Sequence, residues 1–241
     1  MVVMSERLRR LRTRDALRAA AAGVLVHAAP VLAAEKNPQA EQTAALHEPS
    51  LPVGERITDP RFMHTYGEAT PPKAFADFCE RIQEACASLE MRNEEKMSRR
   101  KGDAKDLEEL QRINIEVNGS IEPESDMKHI GVDDQWDDID TSKDKKGDCE
   151  EFAILKRKRL MALGWRPSDL LMTVVSTGKG EGHAVLTART KRGDFILDNR
   201  YVEVLAWQAT KNRAEDPYTF FMRQSYLNPK IWLSLIENKE K

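Results

Sequence analysis

Cys149 stands between Asp148 and the pair Glu150-Glu151, in the stretch KKGDCEEFAILKRKR. A thiol attacks as its thiolate, and nearby positive charge ordinarily helps it ionise. Carboxylates act the other way, because like-charge repulsion raises a thiol pKa. His183 and Asp198 follow, in GEGHAVLTART and GDFILDN. Together the three residue types supply a nucleophile, a base and a carboxylate that orients the base. The chemistry they suit is thiolate attack on a carbonyl, with a thioester intermediate. A helix N-terminus at Cys149 and a neighbouring imidazole would both lower the thiol pKa.

These roles require particular elements. Asp148 is a good N-cap residue, and Glu150 and Glu151 fall where the helix dipole favours acids. A helix opening at Cys149 is therefore predicted. Phe152, Ala153, Leu160 and Leu163 share the cysteine's face at helical offsets, so that face points into the core. Gly164 closes the helix. The KRKR charges at 156–159 read as a solvated surface. After Pro167, DLLMTVVST, HAVLTART, DFILDN and YVEVLAW read as strands. The short KRG turn pairs the second and third as a hairpin, which sets His183 across from Asp198. The expected class is α+β, a nucleophile helix packed on an antiparallel sheet.

Each residue also has a plainer reading. A lone helical cysteine is often a small buried hydrophobe. A histidine at a strand start is often a surface residue, and Asp198-Asn199 suits a turn. The order of all three on a helix start and a hairpin is what favours chemistry.

The remainder of the chain has three further parts. Residues 1–34 run from arginine-rich SERLRRLRTRDALR through apolar AAAAGVLVHAA to small residues, the layout of a secretory signal peptide. An Ala-rich helix or an organelle transit peptide fits the same residues. Residues 35–60 are polar with scattered prolines, a linker or extended arm. The domain proper is expected over 61–241. Its first half is helical: FADFCERIQEACASL repeats apolar residues at helical intervals, and Leu107, Leu110, Ile113 and Val117 do the same. Residues 93–109 between them read as a charged turn. Cys79 and Cys86 are too far apart for a bridge along one straight helix. In an oxidising compartment a disulfide across a turn is expected, with two free buried cysteines as the alternative. A net charge of −2 gives no general reason to bind nucleic acid or anionic membrane. No apolar run is long enough for a membrane anchor.

The acidic loop DDQWDDIDTSKDKKGD precedes the cysteine. Counted as an EF-hand from Asp140, it has Lys145 where the turn demands glycine, so that motif is excluded. Trp136 is a candidate to help stabilise an oxyanion beside the Cys149 backbone N–H. Burial in the core is its other reading.

GDCEEFAILKRKRLMALG, LLMTVV, GEGHAVLTART, GDFILDN and FFMRQS resemble the bacterial transglutaminase-like cysteine proteinases. The best understood of these are LapG-like periplasmic proteases that clip large surface adhesins. The resemblance runs from about Thr65 to Leu235 and includes the FC…C segment and INIEVNGSIEPESD. It implies a papain-like fold in its transglutaminase version, with Cys149 as nucleophile, His183 as general base and Asp198 as orienter. It further implies export to the periplasm or beyond, and a protein substrate of the adhesin kind. Any regulatory partner is left unnamed. LapG-type members bind calcium through acids flanking the nucleophile, here Asp148 and Glu150, with Glu151 where an aspartate is usual. The residues themselves leave two readings of these acids open. Calcium would neutralise them; helix capping and the dipole also account for all three.

The function expected is peptide-bond hydrolysis. Transglutaminase-type acyl transfer to an amine uses the same thioester and is the alternative within enzymes. A calcium-responsive binding protein without turnover is the alternative outside them.

Overall fold

The computed structural model describes residues 59–86, 103–142 and 144–237. The expected signal segment (1–34) and residues 35–58 of the expected linker lie outside the described residues.

Strand β1 (Glu68–Ala69) leads into helix α1 (Lys73–Arg81), which buries Ala74, Phe75 and Phe78. The helix stops at Arg81 and a 3-10 turn follows over Gln83–Cys86. This break resolves the reach problem of the cysteines: Cys79 and Cys86 are bonded, with Cα atoms 5.4 Å apart. Seven residues of straight helix would separate them by about 10 Å. Helix α2 (Asp103–Asn118) buries Leu110, Ile113 and Val117 on the expected stripe. Of the expected charged turn over 93–109, residues 93–102 lie outside the described residues and residues 103–109 are helical. The acids of DAKDLEE suit a first helical turn as well as a loop.

Two short strands, β2 (Glu122–Pro123) and β3 (Lys146–Gly147), form a parallel pair on either side of α3 (Asp126–His129) and the acidic loop. Helix α4 (Cys149–Ala162) follows immediately. Then come β4 (Leu170–Ser176), β5 (Gly182–Thr190), β6 (Gly193–Leu197), β7 (Leu205–Ala206), α5 (Trp207–Lys211), β8 (Thr219–Gln224) and β9 (Trp232–Ser234). The large sheet has the order β1-β9-β8-β4-β5-β6-β7, and its neighbours are antiparallel.

One face of this sheet meets α4 and α2. Phe152, Ala153 and Leu160 of α4 pack with Met172, Ala184, Leu186 and Leu197 in a single core. The other face carries a smaller cluster with Met63, Val175, Val185, Tyr218 and Phe220. Thus α4 is predominantly a buried helix, and two expectations change. Leu163 is 46% exposed, because α4 ends at Ala162 and Leu163 caps it on the way to Gly164. Lys156 and Arg157 are buried rather than solvated, at 1% and 8% exposure. The Arg157 Nε–H donates to the Leu170 carbonyl at 3.0 Å and ties α4 to β4. Lys156 lies over the Phe152 ring, 5.9 Å from its centroid. Only Lys158 and Arg159 behave as expected, reaching Asp138 and Asp140 at the surface.

YVEVLAW also differs. Only Leu205–Ala206 pairs with β6, and Trp207 already opens α5. The backbone before it is held by α2 instead. Asn114 Nδ2 donates to the carbonyls of Tyr201 and Val202 at 2.9 and 3.0 Å, and the Val204 N–H donates to Gln111 Oε1 at 3.0 Å. Amides of α2 thus take the backbone groups that a strand would have offered to β6.

Candidate active site

The β2–β3 pair delivers the chain to the cysteine. At Gly147 an added Cβ would stand 2.8 Å from the Glu151 Cβ, so only glycine lets the first turn of α4 fold back so closely. Asp148 and Glu151 then close a reciprocal cap. The Asp148 side chain accepts from the Glu151 N–H, and Glu151 Oε2 accepts from the Asp148 N–H at 3.0 Å.

Cys149 is the first residue of α4 and the free cysteine among the described residues. Its thiol donates to Glu150 Oε2 at 2.9 Å and accepts from the Ala184 N–H at 3.4 Å. Ala184 follows His183 on β5, so the helix start and the strand start meet here. The His183 ring is buried, with Nε2 2.9 Å from Asp198 Oδ1. The β5–β6 register, Leu186 opposite Leu197, carries Asp198 just past the strand end toward His183. The structure thereby gathers Cys149, His183 and Asp198 at one end of the sheet.

Asp198 is held from several sides. Its Oδ1 accepts from the Arg200 N–H at 2.9 Å, and its Oδ2 accepts from the Tyr218 hydroxyl at 2.6 Å. Asn118 Nδ2 donates to its backbone carbonyl at 2.9 Å. Burial pushes this carboxyl up, but the bonds from His183, Tyr218 and Arg200 outweigh it and hold the group below the ordinary carboxylate value. Lys156 lies near enough for the Asp198 charge to counter part of its burial, which nonetheless lowers the amine to about 7.

Around the thiol the balance is reversed. Burial, followed by the Glu150 carboxylate, pushes Cys149 well above the ordinary thiol value. Burial also pushes Glu151 up to about 8, and raises Glu150 and Asp126. Burial thus makes Asp126, Glu150 and Glu151 costly to ionise.

The structure divides the three expected metal acids. Glu150 meets the thiol and groups with Asp148 and Cys149. Asp148 and Glu151 join Asp126, with one oxygen from each within 4.8 Å of the others. Asp148 Oδ1 is buried with no hydrogen-bond partner. Some lone pairs are taken by the Gln135 and Asp137 N–H groups, which donate to Asp126 Oδ2 and Glu151 Oε1. A cavity of about 450 Å³, lined in part by Asp126, Asp137, Asp138 and Glu151, opens beside the cluster. Three hard carboxylate oxygens fit a calcium ion better than the alternative group of Asp148, Cys149 and Glu150, which contains sulfur.

Asp126 and Tyr218 were not legible as site residues. Asp126 lies 22 positions before Asp148 and reaches it through the β2–β3 pairing; its own N–H donates to Asp148 Oδ2 at 3.4 Å. Its only local signal is the run IEPESD, a helix start at α3. Tyr218 precedes β8 with no spacing relation to His183 or Asp198. Trp136 lies in an aromatic cluster, with ring centroids 5.3 Å from Phe75 and 6.3 Å from Trp232. Its carbonyl accepts from Arg81 at 2.7 Å.

Comparison with known proteins adds to this geometry. No curated protein matches the chain. Among solved structures it is similar to calcium-bound LapG of Legionella pneumophila, at 26% identity and a TM-score of 0.44, covering 59% of this chain and 75% of that one. A second LapG structure from the same organism is 23% identical over 68% of this chain and 90% of that one, with a TM-score of 0.43. The family model for bacterial transglutaminase-like cysteine proteinases matches residues 65–240, which spans α1, the cysteine helix and the whole sheet after it. The chain belongs to the bacterial transglutaminase-like cysteine proteinases, and it is a cysteine peptidase.

Proposed function

We propose that this peptidase is exported and hydrolyses a peptide bond in a protein substrate through Cys149, His183 and Asp198. The observation that carries the reading is the buried His183 Nε2–Asp198 Oδ1 contact of 2.9 Å beside the thiol at the start of α4. In this mechanism His183 Nδ1 takes the thiol proton and the thiolate attacks the scissile carbonyl carbon. The Cys149 backbone N–H, in the first turn of α4, donates to the oxyanion. The C–N bond breaks as His183 gives its proton to the leaving amine, leaving a thioester. A water then loses a proton to His183 and attacks the thioester carbonyl; the C–S bond breaks, the acid leaves, and His183 returns the proton to the Cys149 thiolate. Asp198 keeps Nε2 protonated throughout and stabilises the imidazolium. The place of Trp136 against Phe75 and Trp232 supports a packing role in place of the oxyanion role. A surface adhesin as substrate, and a periplasmic or secreted location, follow the family resemblance; the Cys79–Cys86 bond suits an oxidising compartment. Among the described residues no helix is long and apolar enough to cross a membrane.

Calcium is part of the proposal. Asp126, Asp148 and Glu151 would hold it, and its charge would offset Asp148, one of the carboxylates that raise the thiol. EGTA should lower activity, and added Ca²⁺ should restore it and raise the melting temperature by mass action. Asp126→Asn should abolish both responses without touching the α4 cap. Millimolar Ca²⁺ that gives no heat in a calorimetric titration, with activity unchanged by EGTA, would leave the acids as helix-end chemistry alone.

The same acids predict a pH dependence. Burial pushes Glu151 up to about 8 in the folded chain, against an ordinary value of 4.5. Between those values the folded state binds more protons than the unfolded state, so stability falls as pH rises through that window. With EGTA the melting temperature should decline from about pH 5 to about pH 8. Saturating Ca²⁺, which favours the ionised carboxylates, should flatten that decline. A decline of the same size with and without Ca²⁺ would contradict the assignment of Glu151.

A further inference from the structure

We propose that Tyr218 is a positioning residue for the reaction, its hydroxyl fixing the Asp198 carboxylate that steers His183. The inference rests on the Cys149–His183–Asp198 reading above and deepens it. Asp198 Oδ1 already serves two donors, the His183 ring and the Arg200 N–H, each at 2.9 Å. Tyr218 supplies the donor on Oδ2, at 2.6 Å. A carboxylate held at both oxygens cannot rotate about its Cβ–Cγ bond, and the imidazole bonded to it cannot swing.

The ring does a second job. It meets the His183 ring edge-on, with centroids 5.9 Å apart and an interplanar angle of 65°. Tyr218 therefore touches both members of the pair. It is itself 2% exposed and anchored at the start of β8, where its N–H donates to the Thr210 carbonyl at 3.2 Å. The Tyr201 ring packs beside it, with centroids 6.4 Å apart. Burial and the Asp198 charge both hold the phenol proton on, so the hydroxyl remains a donor through the working pH range.

Tyr218→Phe removes one oxygen and keeps the ring, so the fold should persist, as a melting curve will report. Two effects are expected in the calcium-loaded protein, with 4-nitrophenyl acetate as the probe of turnover. First, kcat should fall roughly ten- to hundredfold at unchanged KM, the scale of one charge-assisted hydrogen bond. Second, Asp198 loses a donor and becomes more basic, so it stabilises imidazolium more strongly. The His183 titration followed by NMR should then move upward. Tyr201→Phe is the control. It loses a 2.8 Å bond to Asp216 in the same ring cluster and should keep the parental kcat and His183 titration.

Parental kcat in Tyr218→Phe, or a lower kcat with the His183 titration unmoved, assigns Tyr218 to packing and overturns the inference. Asp198→Asn separates this from failure of the underlying reading. If it is inactive while Tyr218→Phe is parental, only the inference falls. If it too turns over normally, the Asp198 role falls with it.

Discussion

Cys149→Ala should lose hydrolysis altogether, by on the order of 10⁴-fold or more, with the fold retained. The two parts of that expectation have separate causes. The loss of activity follows because no other group near His183 can form the thioester. Among the described residues the other cysteines, Cys79 and Cys86, are bonded to each other. The retention of fold follows from what Cys149 does in the structure. It is a small residue at the first position of α4, and its side chain makes one donor contact to Glu150 and one acceptor contact to Ala184. Loss of weak sulfur bonds at a helix end should change stability by about 1 kcal/mol or less. Alkylation gives an independent readout. In the non-reduced protein iodoacetamide should label Cys149 ahead of the bonded pair. Calcium should speed that labelling, since Glu150 and burial otherwise hold the proton on the thiol. Hydrolysis of 4-nitrophenyl acetate at the parental rate by Cys149→Ala would end the thioester mechanism, as would equal labelling of all three cysteines.

Much of this site can be read from local pattern, and the reason is that its parts are local. Asp148 as cap, two acids in the first turn and apolar residues at helical offsets define α4 through interactions within four residues. The KRG turn fixes the β5–β6 hairpin, and with it the approach of His183 to Asp198. The features that escaped are those set by what packs outside an element. Lys156 and Arg157 look like surface charges until Arg157 is seen against β4 and Lys156 beside Phe152 and Asp198. Leu163 has the right offset but stands beyond the last turn. YVEVLAW has strand composition, yet Gln111 and Asn114 of α2 claim its backbone. Asp126 joins Asp148 only through a parallel pairing of two-residue strands, too short to announce itself. Tyr218 reaches Asp198 from β8, across a sheet whose strand order no single segment encodes.

Asp198→Asn should reduce kcat/KM for the same ester by about 10³-fold or more, with the structure otherwise preserved. The donors around the carboxylate set the size of the loss. Today Oδ1 accepts from His183 and Arg200, and Oδ2 accepts from Tyr218. An amide has one acceptor oxygen and one donor nitrogen. If its oxygen stays with Tyr218, its NH₂ faces the Arg200 N–H and His183 Nε2. Nε2 must then act as acceptor, which puts the ring proton on Nδ1, the nitrogen required to take the thiol proton. If the amide turns over, Nε2 keeps its proton, but Tyr218 faces an NH₂ and must reorient its hydroxyl. In both orientations the imidazolium loses its buried counter-charge, and so does Lys156. The charge loss should also appear as a lower His183 pKa by NMR, opposite in sign to the shift expected for Tyr218→Phe. Near-normal turnover in Asp198→Asn would reduce Asp198 to a turn residue. Asp194 could not replace it, because its carboxylate is already committed to the Met63 N–H at 2.8 Å and to Arg189 at 3.3 Å. Asn199 would be the next residue to replace.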